Sequence, residues 1–111
     1  MLSVSPATRI FVALNPIDMR AGFNTLYSYV QVVLQQAPTS GHYFVFTNRL
    51  RNRLRVLHWD GSGLWLATKR LERSSFAWPS GEGVSSCLRP EELQLLLHGI
   101  EGTPRRRWYR T

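Results

Sequence analysis

Asp60-Gly61-Ser62-Gly63 sits between two runs in which apolar and polar side chains alternate, Arg53 to Trp59 and Leu64 to Leu71. An Asp-Gly turn flanked by alternating runs is a strong hairpin signal. A third run, His42 to Thr47, precedes them, joined by Asn48 to Asn52. Three consecutive strands so close together are short of room for anything but an antiparallel meander. The stretch from Gly41 to Pro79 therefore dominates what this chain can fold into. It also holds three of the four tryptophans and seven of the fourteen Lys and Arg residues.

Pairing Thr47 with Arg53 sorts the side chains. His42, Phe44, Phe46, Leu54, Val56 and His58 then share one core-like face. Tyr43, Val45, Thr47, Arg53, Arg55, Leu57 and Trp59 share the other. A one-residue slip sets Arg55 beside Phe46, so this register is the expected one. Continuing the alternation brings Thr68 and Arg70 near Arg55 and Arg53, a basic end that Arg49 and Arg51 extend from the loop.

Upstream, Arg9 to Leu14 reads as a short strand and Asn15-Pro16 as a turn. Asp18 is a natural N-cap for a helix over Met19 to Gln36, in which Phe23, Leu26, Tyr27, Val30 and Leu34 recur at helical spacing. That segment carries no charge from Ala21 to Gln36, and Asn24, Thr25, Ser28, Gln31 and Gln35 fall on its outer side. A neutral outer side suits either a covering partner or a mildly polar solvated surface. Downstream, Phe76 to Pro79 reads as an edge strand, Ser80 to Ser86 as an exposed loop, and Leu88 to His98 as a second helix with Pro90 in its first turn. The fold class expected is α+β: an antiparallel meander packed with one long and one short helix. It should form a single domain over residues 1–104, followed by a basic tail, 105–111.

The formal charge of +7 comes from thirteen arginines and one lysine against seven acids, and the isoelectric point is near 10.8. Arginine suits bidentate phosphate contacts, and a polyanionic partner, nucleic acid first, is implied. A solvated basic surface that blocks strand-edge aggregation is the alternative for the sheet arginines. One cysteine, Cys87, excludes an internal disulfide, and no apolar run reaches the ~18 residues of a membrane span. The start of the chain is a poor signal peptide.

Chemistry of other kinds has little to work with. The acids are few, and Asp18, Asp60, Glu91 and Glu92 each have a capping, turn or helix-dipole role. A two-metal nuclease on Asp18, Asp60 and Glu72 is the enzymatic rival. His42 and His58, on one face in this register, make half a zinc site, but Cys87 and His98 lack ligand spacing. No catalytic residue, metal or cofactor is expected. Tyr43 and Trp59 could stack on unpaired bases where exposed.

Five blocks carry a resemblance: Asp18-Met19-Arg20-Ala21-Gly22-Phe23, Gly41 to Phe46, Leu57 to Gly63, Lys69-Arg70-Leu71-Glu72 and Phe76-Ala77-Trp78-Pro79. In this order they resemble the small accessory protein, of the TnpB type, encoded by the second open reading frame of the sixty-six family of bacterial insertion sequences. The resemblance spans roughly residues 9–108. It departs at Arg55, where the family often has Lys, and in the 80–86 loop and the tail. It implies a cytoplasmic bacterial protein that assists transposition while a separate, larger transposase carries the acidic catalytic residues. The expected function is thus a non-catalytic accessory factor that binds DNA or the transposase–DNA complex. The contacts expected are Arg49, Arg51, Arg53, Arg55, Lys69 and Arg70 on the sheet, and Arg105, Arg106 and Arg107 in the tail. The alternative is an adaptor that touches the transposase without touching DNA; homo-oligomerisation stays open.

Overall fold

A computed structural model describes residues 7–98. Five strands and two helices follow in the order β1 (Ile10–Ala13), α1 (Phe23–Val32), β2 (Tyr43–Thr47), β3 (Arg53–Trp59), β4 (Leu64–Arg70), β5 (Ser85–Leu88) and α2 (Pro90–His98). One sheet contains all five strands, ordered β4-β3-β2-β1-β5. The β2-β3-β4 meander is present. The sheet as a whole is mixed, because β1 runs parallel to β2, with α1 as the crossover, and β5 pairs antiparallel on the far side of β1. The chain is α+β, but a meander alone does not describe it.

Both sheet faces are covered, and each has its own core. On one face α1 lays Leu26, Val30 and the following Leu34 over Phe11, Ala13, Phe44, Phe46 and Leu57. On the other, Leu93 and Leu96 of α2 join Phe76 and Trp78 over Ile10, Val12, Tyr43, Val45, Leu54 and Val56. Fully burying each such side chain stabilises the fold by ~1.5–3 kcal/mol. Phe76 and Trp78 are therefore not an edge strand. They plug the second core, and Trp78 Nε1 donates to the Ala13 carbonyl at 2.8 Å inside it. The segment expected to be a loop up to Ser86 instead supplies the first half of β5, which satisfies the open side of β1 from Ser85 to Leu88.

The helices differ less in length than expected: α1 has 10 residues and α2 has 9. Asp18 does not cap α1. Its carboxylate accepts from the Arg20 N–H at 2.9 Å and pairs with the Arg20 guanidinium at 2.7 Å, closing a separate turn. The N-cap position is Gly22, with no side-chain cap. At the far end the helix opens: Leu34 N–H reaches Tyr29 O, Gln36 N–H reaches Val30 O, and Gln35 turns left-handed at φ 55°.

The β2–β3 register is the slipped one. Thr47 faces Leu54, Val45 faces Val56, and Arg55 lies beside Phe46. The Asn48 side chain explains it. Its Oδ1 accepts from the N–H groups of Asn52 and Arg53, both at 3.1 Å, and its Nδ2 donates to Asn52 Oδ1 at 2.7 Å. The Arg53 carbonyl is taken by the Asn48 N–H and by Thr47 Oγ1. Arg53 is thereby held opposite Asn48, and Thr47 must pair one residue further on.

Candidate nucleic-acid interface

The β2–β3 loop is a closed, braced tip. Arg51 N–H donates to Asn48 O at 3.1 Å, and Arg51 adopts φ 57°. Two bonds tie the tip to the chain beyond β4, from Leu71 N–H to Asn52 O at 2.8 Å and from Phe76 N–H to Arg51 O at 2.7 Å. Arg49, Leu50, Arg51 and Arg53 are all exposed on it. A cleft of about 450 Å³ lies beside the tip, with Pro16, Ile17 and Met19 on one wall and Asn48, Arg49, Leu50 and Arg53 on the other. Asp18 also lines it, but its carboxylate is held by Arg20, whose hydrogen bond lowers its pKa to about 2.

Arg53 stands directly across from Arg70, and Arg55 across from Thr68. Like charges opposite each other on adjacent strands destabilise a sheet unless an anion lies between or near them. Glu72 relieves Arg70 in part, through an exposed pair at 3.2 Å. Among the described residues, no acid pairs with Arg49, Arg51, Arg53 or Arg73. Arg49, Arg51, Arg53 and Arg70 thus gather at one end of the β3–β4 ribbon with little internal neutralisation.

Two of the sheet cations expected in this group lie elsewhere. Arg55 is half-buried under the turn that leads into α1 and donates through a terminal nitrogen to the Ala21 carbonyl, with its Nε enclosed and unpaired. The register slip puts it there, because its face is the one α1 covers. Lys69 projects from the opposite sheet face, in line with Leu54, and its Nζ donates to the Leu97 carbonyl at 2.7 Å near the end of α2. Arg105, Arg106 and Arg107 lie outside the described residues. Arg73 was missed by the sequence reading, although it is exposed in the segment braced against the tip at Leu71 and Phe76. Leu50 was missed as well: it is 74% exposed between two arginines. An apolar residue set between cations in a turn was the available signal.

The other candidate chemistries separate in space. Asp60 shapes the β3–β4 turn: its Oδ1 accepts from Ser62 N–H at 2.8 Å and Gly63 N–H at 3.0 Å, and its Oδ2 from Trp65 Nε1 at 2.7 Å. These bonds, the Ser62 amide first, hold the carboxyl far below its usual range. Asp18 and Asp60 lie near opposite ends of β3, a strand roughly 20 Å long at the usual rise, so they do not converge with Glu72. Among the described residues no three His, Cys, Asp or Glu side chains are placed to hold a metal ion. His42 and His58 fall on opposite sheet faces. His42 packs edge-on to Phe11, and its Nδ1 accepts from the Arg9 N–H at 2.9 Å. His58 stacks on Tyr43 at 4.0 Å. Tyr43 is buried, which closes it to an unpaired base. No described helix is long and apolar enough to cross a membrane.

No solved structure gives a significant match to the chain. Two relatives come from Sinorhizobium fredii, both uncharacterised. Protein y4hO is 43% identical over 101 residues, covering 91% of this chain and 88% of the relative. Protein y4jC is 40% identical over 103 residues, covering 93% and 88%. The family described as IS66 Orf2-like protein matches residues 8–107, a span that takes in both cores, the braced tip and its four cations. The chain belongs to the IS66 Orf2-like protein family of insertion-sequence proteins.

Proposed function

We propose that this protein is a non-catalytic accessory factor in transposition of an IS66-type insertion sequence, and that it grips DNA through the β2–β3 tip. The observation that carries the reading is the gathering of Arg49, Arg51, Arg53 and Arg70 at one end of the ribbon, with Arg53 set against Arg70. Family membership supports the process. The tip supports the contact. Phosphates between and beside those guanidinium groups relieve the repulsion that the sheet otherwise sustains, and each contact releases counterions. Binding is therefore expected to be strongly salt-dependent and weakly sequence-dependent. The transposase of the same element, or its complex with DNA, is the natural second partner.

Fluorescence anisotropy with a labelled duplex from an element end, over a series of salt concentrations, tests this. The logarithm of the affinity should fall linearly with the logarithm of salt, and each lost phosphate contact should reduce the slope by about 0.9. Absence of binding at low salt defeats the proposal.

One observation favours the adaptor reading in parallel. The outer side of α1 is uncharged, with Ser28 and Gln31 exposed, and Val32 is 72% and Phe23 46% exposed. Co-purification with the transposase after nuclease treatment, abolished by Val32→Glu, supports it; a complex that dissolves on nuclease treatment refutes it.

A further inference from the structure

Leu50 is 74% exposed at the middle of a loop that is otherwise tightly held. The flanking arginines are exposed too, while Asn48 spends both of its amide atoms internally, on the Asn52 side chain and on the Asn52 and Arg53 N–H groups. The tip therefore offers guanidinium groups and one apolar side chain, with only the half-buried Asn52 side chain left to present an amide nitrogen. That inventory suits phosphate contact and base unstacking, the combination that minor-groove wedges use.

Shape agrees with chemistry. A two-stranded ribbon fits a major groove about 12 Å wide, but β3 here is flanked by both β2 and β4, and the chain at Leu71 and Phe76 is bonded to the tip. The body of the sheet is too broad to follow the tip into a groove, so only the loop itself can enter. The bracing also orders the loop in advance, which lowers the cost of inserting it.

We infer that the Asn48–Asn52 tip is an apolar wedge for the minor groove of duplex DNA. Leu50 inserts at a base step, Arg49 and Arg51 hold the backbone on either side, and the duplex bends. This rests on the DNA-gripping reading above and adds the groove, the inserting residue and the deformation. Apolar wedges of this kind kink DNA by roughly 20–90° toward the major groove, most readily at flexible pyrimidine–purine steps.

The test uses the full chain and a duplex with a central TA step, dyes at its two ends and 2-aminopurine at the step. Wild-type protein should raise both end-to-end energy transfer and 2-aminopurine fluorescence. Leu50→Ala should bind more weakly with the same salt slope and lose both signals; Leu50→Phe should keep them. Leu95→Ala, which removes an equally exposed leucine on α2, should behave as wild type. Salt-dependent binding with no bend in the wild type, or a bend undiminished in Leu50→Ala, overturns the wedge and leaves the DNA grip standing. No salt-dependent binding at all removes the grip, and the wedge with it. Leu50-dependent binding to phosphatidylglycerol vesicles without any duplex bending assigns the tip to a lipid surface and overturns the inference.

Discussion

Replacing Asn48 by Ala removes the side chain that sets the β2–β3 register, and its cost follows from the bonds it makes. Three are lost: two received by Oδ1, from Asn52 and Arg53, and one given by Nδ2 to Asn52 Oδ1. Neutral hydrogen bonds contribute about 0.5–1.5 kcal/mol each, so the upper bound for three is about 4.5 kcal/mol. Asn48 is only half-buried, and water will satisfy some of the freed amides, which brings the expected loss to about 2 kcal/mol. In a chain of this size that is a fall in Tm of roughly 8–16 °C. Urea unfolding followed by tryptophan fluorescence should show a lower midpoint with an unchanged slope. Asn48→Asp keeps both acceptor bonds and should recover about half of the loss. A loss in Asn48→Ala below about 0.5 kcal/mol, the ordinary range for surface substitutions, would refute the claim that this side chain holds the tip and fixes the pairing.

Three further outcomes are expected. Arg55→Ala and Lys69→Ala should leave the salt slope of DNA binding unaltered in an anisotropy titration, whereas Arg49→Ala and Arg53→Ala should each lower it by about 0.9; equal effects from all four would mean that burial and helix contacts do not divide the cations. Trp78→Phe removes the buried bond to the Ala13 carbonyl and should cost about 1–3 kcal/mol in urea unfolding, with no change in DNA affinity. His42 is held below its ordinary pKa, first by burial and then by Arg9, so the unfolded chain takes up its proton at higher pH than the folded chain does. Its contribution to stability is complete above the usual histidine range of about 6.5 and is lost as pH falls through the lowered value; thermal melts at pH 7 and pH 5 should show a smaller drop in His42→Phe than in wild type.

The meander was legible because a tight Asp-Gly turn and period-two alternation are local signals. β3 begins and ends where the alternation puts it, and Arg53 faces Arg70 as that alternation implies. The register between β2 and β3 was not legible, since β2 is buried on both faces. With Tyr43, Phe44, Val45 and Phe46 all apolar, either pairing yields a plausible core, and the deciding group was a polar side chain in the loop. The same slip moved Arg55 from the expected cationic ledge to the underside of α1. β5 escaped notice because Ser85-Ser86-Cys87 has no strand pattern of its own; it forms because β1 has an open side to satisfy. Asp18 looked like a cap, but a nearby Arg20 competed for its carboxylate and won. Of the cationic site, the ribbon end was readable from strand parity. The position of Lys69 was not, since it depends on where α2 ends.

The position of β1 between β2 and β5 has a consequence for how the chain is made. A nascent polypeptide carrying residues up to about 70 can already close the β2-β3-β4 meander, whose pairings join near neighbours in sequence. β1 can dock on it only after the α1 crossover is in place, and its other flank waits for Ser85 to Leu88, more than seventy residues further on. Such distant pairings come late. Until they form, a short apolar strand offers its unpaired backbone to the surroundings, so the interval between synthesis of Ala13 and of Leu88 is when this protein is most exposed to mispairing with another copy of itself.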